Sequence, residues 1–273
     1  MILKNKTALV LGAIKGIGKA IALALAKEGV KLVLNYFDWE ESYDDLINDM
    51  DDSGAEFLVL KTNLLETDKI PGLVKQTVDF FDSLDILINN IERGGMPVVH
   101  GPYIRKQWDL EIETTMRAKW WVFNEALPHL KNSGYGAVIN ISSIAGIVGR
   151  CGPAGLIFND AYAAANRGIS SFTETWARQA APEVRVNELM LGIFETRHAQ
   201  GTRGWGLLSK AQKQALIDHT LLKRTGTTDD VVKAVLFILK DAPFMTGSVL
   251  RIDGGYPLGG ETIIPMPDGL EDV

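Results

Sequence analysis

The chain predicts an α/β fold: one domain, residues 1–273, built on a doubly wound, seven-stranded and mostly parallel sheet with helices on both faces. Three observations predict it. Short apolar runs alternate with longer amphipathic segments along the chain, and the first run passes through a glycine-rich turn directly into a helical segment. Neither a composition break nor an internal repeat divides the sequence.

Seven runs read as strands: "TALVLG" (7–12), "KLVLNY" (31–36), "EFLVLK" (56–61), "DILINN" (85–90), "GAVINIS" (136–142), "VRVNELM" (184–190) and "GSVLRID" (247–253). Each is short, apolar and bounded by turn residues, as expected of strands covered on both faces. Between them lie helical stretches such as "GIGKAIALALAKEG", "DKIPGLVKQTVDFFDS" and "AYAAANRGISSFTETWARQAA". Right-handed crossovers then place helices on either side of the sheet. The tail at 256–273 is too rich in Pro and Gly to predict another helix.

Composition narrows the partners. A formal net charge of -6, with Lys and Arg scattered, gives no electrostatic reason to expect nucleic acid. No apolar run reaches the roughly 18 residues of a membrane span, and the start "MILKNKTALVLG" lacks the features of a signal peptide, so a cytoplasmic protein is expected. Cys151 is the only cysteine, which excludes an internal disulfide and predicts a buried small hydrophobe. His100, His129, His198 and His219 show no close ligand spacing, so no metal site is expected.

The turn after the first strand is "GAIKGIG", residues 12–18. Gly12 permits the tight turn, and the missing side chains at Gly16 and Gly18 let backbone and helix approach a pyrophosphate. The helix N-terminus beyond Lys15, Gly16 and Ile17 offers free N–H groups to that anion. A tight turn with no ligand is the alternative reading.

This motif, "NN" at 89–90, "INISS" at 139–143, Tyr162, "RVN" at 185–187, "GIFET" at 192–196 and "DGG" at 253–255 occur in the order and spacing of the short-chain dehydrogenase/reductase family, which the chain resembles over nearly its whole length. The resemblance implies a Rossmann-like fold, NADP or NAD as cofactor, and hydride transfer between an alcohol and a ketone. It assigns Gly12, Lys15, Gly16, Ile17, Gly18, Tyr36, Asn63, Asn90, Asn166 and Thr196 to the nucleotide. Tyr36 stands where an acidic residue would bind an unphosphorylated ribose, although Asp38 lies close, and Lys15 resembles the basic residue used against a 2′-phosphate. NADP is therefore the favoured cofactor.

The family's catalytic unit is a tyrosine, a serine, a lysine and an asparagine. Tyr162 and Ser143 match the first two; Asn166 replaces the lysine and Thr115 the asparagine. A cation within roughly 4 to 6 Å lowers a tyrosine's pKa by 1 to 3 units, and a neutral amide does not. "NNIE" also places Ile91 and Glu92 where the family carries small residues, and a carboxylate beside a diphosphate is unhelpful unless it turns to solvent. Nineteen positions separate Ser143 from Tyr162, and this insertion is expected to loop out near the substrate. Lys119, one turn beyond Thr115, is the best substitute cation, ahead of Arg167; both are expected at the surface.

These departures predict impaired turnover and a role as a non-catalytic subunit, with an active paralogue of the same family as a candidate partner. The alternative is an active NAD(P)-dependent oxidoreductase that reduces a ketone or a 3-oxoacyl substrate with Tyr162 and Ser143. The segment 193–226 is similar to the family's substrate lid. Its Arg197, Arg203, Lys210, Lys213, Lys223 and Arg224 suit an acyl thioester, though a solvated helical face is the favoured explanation of the same charges. Small residues Ala163, Ala164, Ala165 and Gly168, with Trp120 and Trp121, predict a homo- or hetero-oligomer through 105–132 and 160–181, the tail lying across a neighbour.

Overall fold

The computed structural model describes residues 2–92, 105–194 and 205–263. Seven strands form one sheet: β1 (Thr7–Leu11), β2 (Lys31–Tyr36), β3 (Phe57–Lys61), β4 (Ile86–Asn89), β5 (Gly136–Ser143), β6 (Val184–Leu191) and β7 (Val249–Ile252). Their order is β3-β2-β1-β4-β5-β6-β7, and every pairing is parallel. The expected strands are therefore all present, and the sheet is parallel throughout.

Alternate residues along the central strands feed two cores. Ala8, Val10, Leu32, Leu34, Ile86 and Ile88 face α1 (Gly16–Lys27), α2 (Tyr43–Ser53) and α9 (Thr228–Leu236). Leu9, Leu11, Val33, Leu87, Val138 and Val186 face α3 (Ile70–Phe81), α5 (Lys119–Asn132) and α7 (Asp160–Ala180). Successive side chains on a strand point to opposite faces, so continuous apolar runs are what a sheet covered on both sides requires.

The chain winds outward from β1 to β3, then returns to place β4 on the other side of β1. Helices following β1 and β4 thus diverge to opposite faces, which opens a crevice at the C-terminal ends of these two strands. Gly12 follows β1, Asn90 follows β4 and Ser143 ends β5 at that end of the sheet. α4 (Arg105–Ile112) runs through a π-helical segment, Glu113–Ala118, into α5; short α6 (Ala145–Val148) follows β5. Gly146 is needed there, because a Cβ would sit 2.8 Å from the Arg167 nitrogen and 2.9 Å from the Asn166 carbonyl carbon. That close approach fixes the end of β5 against α7.

The segment after β6 leaves and rejoins the body at one place, where Phe194 bridges Gly226 and the Gly226 N–H donates to the Ile193 carbonyl at 2.8 Å. Within it, α8 (Lys210–His219) begins with a capping box between Ser209 and Gln212. Among the described residues of the tail is a short 3₁₀ turn, Tyr256–Leu258, whose buried Tyr256 lies against His219 with ring centroids 4.5 Å apart.

Candidate active site

At the nucleotide end, backbone geometry dominates. Gly12 and Gly16 have φ of 65° and 58°, the left-handed region that side chains resist. A Cβ on Gly18 would lie 2.1 Å from the Gly12 oxygen and 2.7 Å from Asn90 Nδ2. Asn90 Nδ2 donates to that same oxygen at 3.2 Å, tying the end of β4 to the turn after β1. Lys15 caps α1 in an extended conformation without a side-chain cap, and the first turn holds no acidic residue. The first N–H groups of α1 are thereby left to a ligand. These features fit a dinucleotide diphosphate.

The surrounding positions are occupied in definite ways. Lys15 Nζ lies 3.0 Å above the centre of the Trp39 ring, a cation–π contact rather than a fully solvated charge. The Tyr36 ring is 5.6 Å from Tyr43, and burial, reinforced by Tyr43, raises its phenol above the ordinary value. Asp38 is exposed, while Ile17 packs on the first core. The Asn63 side chain accepts from the Leu65 N–H at 3.1 Å and donates to Glu66 at 3.0 Å, forming the turn after β3. Thr196, His100 and His198 lie outside the described residues.

At the other end, side chains dominate. Ser143 closes β5, is 4% exposed, and accepts the Ala145 N–H at 3.2 Å. Asn159 caps α7 by accepting the Tyr162 N–H at 2.8 Å, so Tyr162 sits in the first turn and is held there by its own backbone. Asn159 Nδ2 in turn donates at 2.7 Å to Glu111, a buried carboxyl whose affinity for protons is raised by desolvation and lowered by hydrogen bonds from Asn159 and the Tyr162 backbone. The Tyr162 hydroxyl donates to Glu92 Oε1 at 3.0 Å.

Asn166 lies one turn below Tyr162, fully buried, with Nδ2 donating to the Tyr162 carbonyl at 3.0 Å. Its Oδ1 and the hydroxyl of buried Thr115 have no hydrogen-bond partner among the described residues. An unpaired buried acceptor costs about 1–3 kcal/mol, so Asn166 Oδ1 fits a ligand hydroxyl such as a ribose O–H.

Several expectations are corrected. Glu92 does not turn to solvent: its carboxylate is half-buried on the tyrosine. Lys119 is not a surface charge but fully buried, with Nζ donating to the Ile141 carbonyl at 2.6 Å. It lies on the sheet-facing side of α5, where Glu188 of β6 compensates it; desolvation raises the Glu188 carboxyl, while Ser142, Lys119 and Arg167 pull it down. Cys151 is exposed because it lies beside the turn at Gly152, whose φ is 59°.

The insertion does not loop out either. Ala154, Ile157 and Phe158 are buried with Tyr162, Met190, Leu208, Leu216 and Tyr256, since side chains of this size gain about 1.5–3 kcal/mol each by leaving water. In the lid-like segment, Arg224 grips Asp230 through two hydrogen bonds of 2.8 and 3.2 Å and holds that carboxyl well below its usual range. Lys223 bonds the Asp218 carbonyl, and Arg197 and Arg203 lie outside the described residues. Among the described residues no three His, Cys, Asp or Glu side chains cluster as metal ligands.

Fold and crevice together define a dinucleotide-binding α/β protein of the doubly wound type. Comparison with known proteins fixes the family. Residues 12–257 match the family model described as enoyl-(acyl carrier protein) reductase. The chain is 30% identical over 255 residues to the 3-oxoacyl-(acyl-carrier-protein) reductase FabG of Staphylococcus aureus, covering 92% of this chain and 98% of that one. It is likewise 30% identical over 259 residues to the FabG of Thermotoga maritima, covering 93% and 99%. A crystal structure of a putative short-chain alcohol dehydrogenase from Sinorhizobium meliloti shares the fold, with a TM-score of 0.82 at 23% identity over 95% of this chain and 100% of that one. The chain belongs to the short-chain dehydrogenase/reductase family. No helix among the described residues is long and apolar enough to cross a membrane.

Proposed function

We propose that the protein is an active NADP-dependent oxidoreductase interconverting a secondary alcohol and a ketone, with a 3-oxoacyl thioester as the substrate class. One observation carries the reading. Asn90 bonds the glycine turn and Glu92, two residues on, bonds the Tyr162 hydroxyl. Two residues span at most about 7 Å, so a single strand end links the diphosphate cradle to a proton-transferring group. The relatives named as 3-oxoacyl reductases supply the substrate class, and Lys15 supplies the preference for NADP.

In this reading Gly12, Gly16, Gly18 and the start of α1 hold the diphosphate, Asn90 braces the turn, and Asn166 Oδ1 accepts from a ribose hydroxyl. When bound, the nicotinamide gives or takes the hydride. Ser143 donates a hydrogen bond to the substrate oxygen, and Tyr162 exchanges a proton with it. The wall of Phe158, Leu208 and Leu216 excludes water beside the tyrosine.

The non-catalytic reading rested on the absent lysine and asparagine. A tyrosine held through Asn159 and bonded to a carboxylate is organised for proton transfer, whichever charge assists it. Initial rates with NADPH and a short 3-oxoacyl thioester, or NADP with the matching alcohol, test the proposal. Tight nucleotide binding with no turnover in either direction would restore the non-catalytic subunit.

Assembly through α5 and α7 forms part of the proposal. Trp108, Trp120 and Trp121 are 42%, 39% and 39% exposed along one helical run, more aromatic surface than a monomer comfortably leaves in water. Light scattering at micromolar concentration is expected to give an oligomer, and a stable monomer would refute it.

A further inference from the structure

We propose that Glu92 takes the place of the absent lysine by a different route, as the positioning residue that receives the Tyr162 proton when the substrate alcohol is oxidised. The proposal rests on the oxidoreductase reading above. It starts from the 3.0 Å hydrogen bond in which the Tyr162 hydroxyl donates to Glu92 Oε1.

A lysine one turn after the tyrosine would favour phenolate, giving a base ready to accept the alcohol proton. Among the described residues, the carboxylates that reach Tyr162 have the opposite sign. Glu92 reaches its hydroxyl from the end of β4, Glu111 reaches its backbone N–H from α4, and Asn166 on its own helix carries no charge. Lys119 on α5 donates to the Ile141 carbonyl and lowers the Glu188 carboxyl of β6. A carboxylate that accepts from the hydroxyl favours the neutral phenol. A neutral phenol accepts a proton only if it loses its own in the same event, and a carboxylate already hydrogen-bonded to it is the acceptor.

The step balances. The substrate O–H bond breaks and its proton joins the Tyr162 oxygen, while the phenolic proton crosses the existing hydrogen bond to Glu92 Oε1. The carbinol hydrogen leaves as hydride with its two electrons, accepted by the oxidised nicotinamide, so the products are ketone, reduced nucleotide and one proton held on Glu92. Tyrosine and carboxylate ordinarily titrate roughly six pH units apart, so the two proton movements must be concerted rather than pass through free phenolate.

Microscopic reversal gives the signature. Alcohol oxidation requires ionised Glu92 and loses rate as pH falls; ketone reduction requires protonated Glu92 and gains rate over the same interval. A residue that merely shaped the pocket would move both directions alike.

The test is Glu92→Gln, which preserves size and can still accept the tyrosine hydrogen bond but cannot take the proton. Alcohol oxidation near neutral pH should fall about a hundredfold with nucleotide affinity unchanged by calorimetry. The acid limb of the pH profile should vanish, and Glu92→Asp should recover part of the rate. Oxidation by Glu92→Gln as fast as or faster than the parent would overturn the proposal and make the contact inhibitory. An independent readout needs no turnover: phenolate absorbance, taken as the difference between each protein and its Tyr162→Phe form. Tyr162 should ionise at lower pH in Glu92→Gln than in the parent, and an unchanged midpoint would overturn the role of Glu92. A parent without activity in either direction would overturn the proposed function, while this titration would still decide whether Glu92 governs the phenol.

Discussion

The two ends of the crevice are built on different principles. Around Gly12, Gly16 and Gly18 the protein works by leaving atoms out: the turn and the helix start approach so closely that a single methyl would collide with backbone. Around Tyr162 it works by adding groups, with Glu92, Glu111 and Asn159 converging on one residue. A cradle made of main chain leaves little room for chemical variation, because every substitution meets fixed backbone atoms. A proton-transfer site made of side chains can change its charge pattern while its geometry stays in place. The difference separates a cradle that tolerates little change from a site whose charges can vary.

The sharpest test of that contrast is Tyr162→Phe, which removes one oxygen and no backbone contact. Turnover should fall about 10²- to 10⁴-fold with calorimetric nucleotide affinity intact. A comparable loss of affinity would mean that the two ends are not separable. At the opposite end, Gly18→Ala should weaken nucleotide binding about a hundredfold and cost on the order of 3 kcal/mol in thermal unfolding. Normal binding would show that the turn can relax and that the cradle is less constrained than its distances imply.

Two further changes probe the interior of each end. Thr115→Asn combined with Asn166→Lys supplies the family's missing pair, and initial rates of ketone reduction at neutral pH should rise about tenfold through a lowered tyrosine pKa. No increase, with the variant folded by circular dichroism, would show that Glu92 now sets the proton balance alone. Lys15→Ala should have the smallest effect, narrowing the preference for NADPH over NADH about fivefold in paired titrations. An unchanged ratio would assign Lys15 to its packing on Trp39 and leave the selectivity to other groups.

Much of this was legible in the sequence. Apolar runs of strand length marked all seven strands, because a sheet covered on both faces leaves no ambiguity of period. The glycine spacing and the positions of Ser143 and Tyr162 located the crevice. What escaped was the direction of single charged side chains. Glu92 was visible as a departure, but its partner lies 70 residues away on another element, a contact that no local pattern encodes. Glu111 and Asn159 were missed for the same reason.

Lys119 had a usable signal. It shares a helical face with Thr115, a position expected to face inward, and the central strand run "VRVNELM" carries Glu188 among apolar neighbours. One charge on an inward helical face and an opposite charge inside a core strand are together a better guide to burial than either alone. Cys151 and the insertion were misread in opposite senses, since exposure there follows from turns at Gly149 and Gly152 and burial from the apolar pair Ile157 and Phe158.

The buried Lys119 and Glu188 also have a consequence for how this sequence can change. Both are fully buried, and each is tolerable because of the other and of the Ile141 and Ser142 groups they bond. Replacing either alone strands an opposite charge away from water, at a cost of about 3–5 kcal/mol, a large part of the stability of an ordinary domain. Replacing both by apolar residues of similar volume is close to neutral. Single substitutions are therefore disfavoured, and the two positions, 69 apart in the chain, are expected to tolerate change together better than separately.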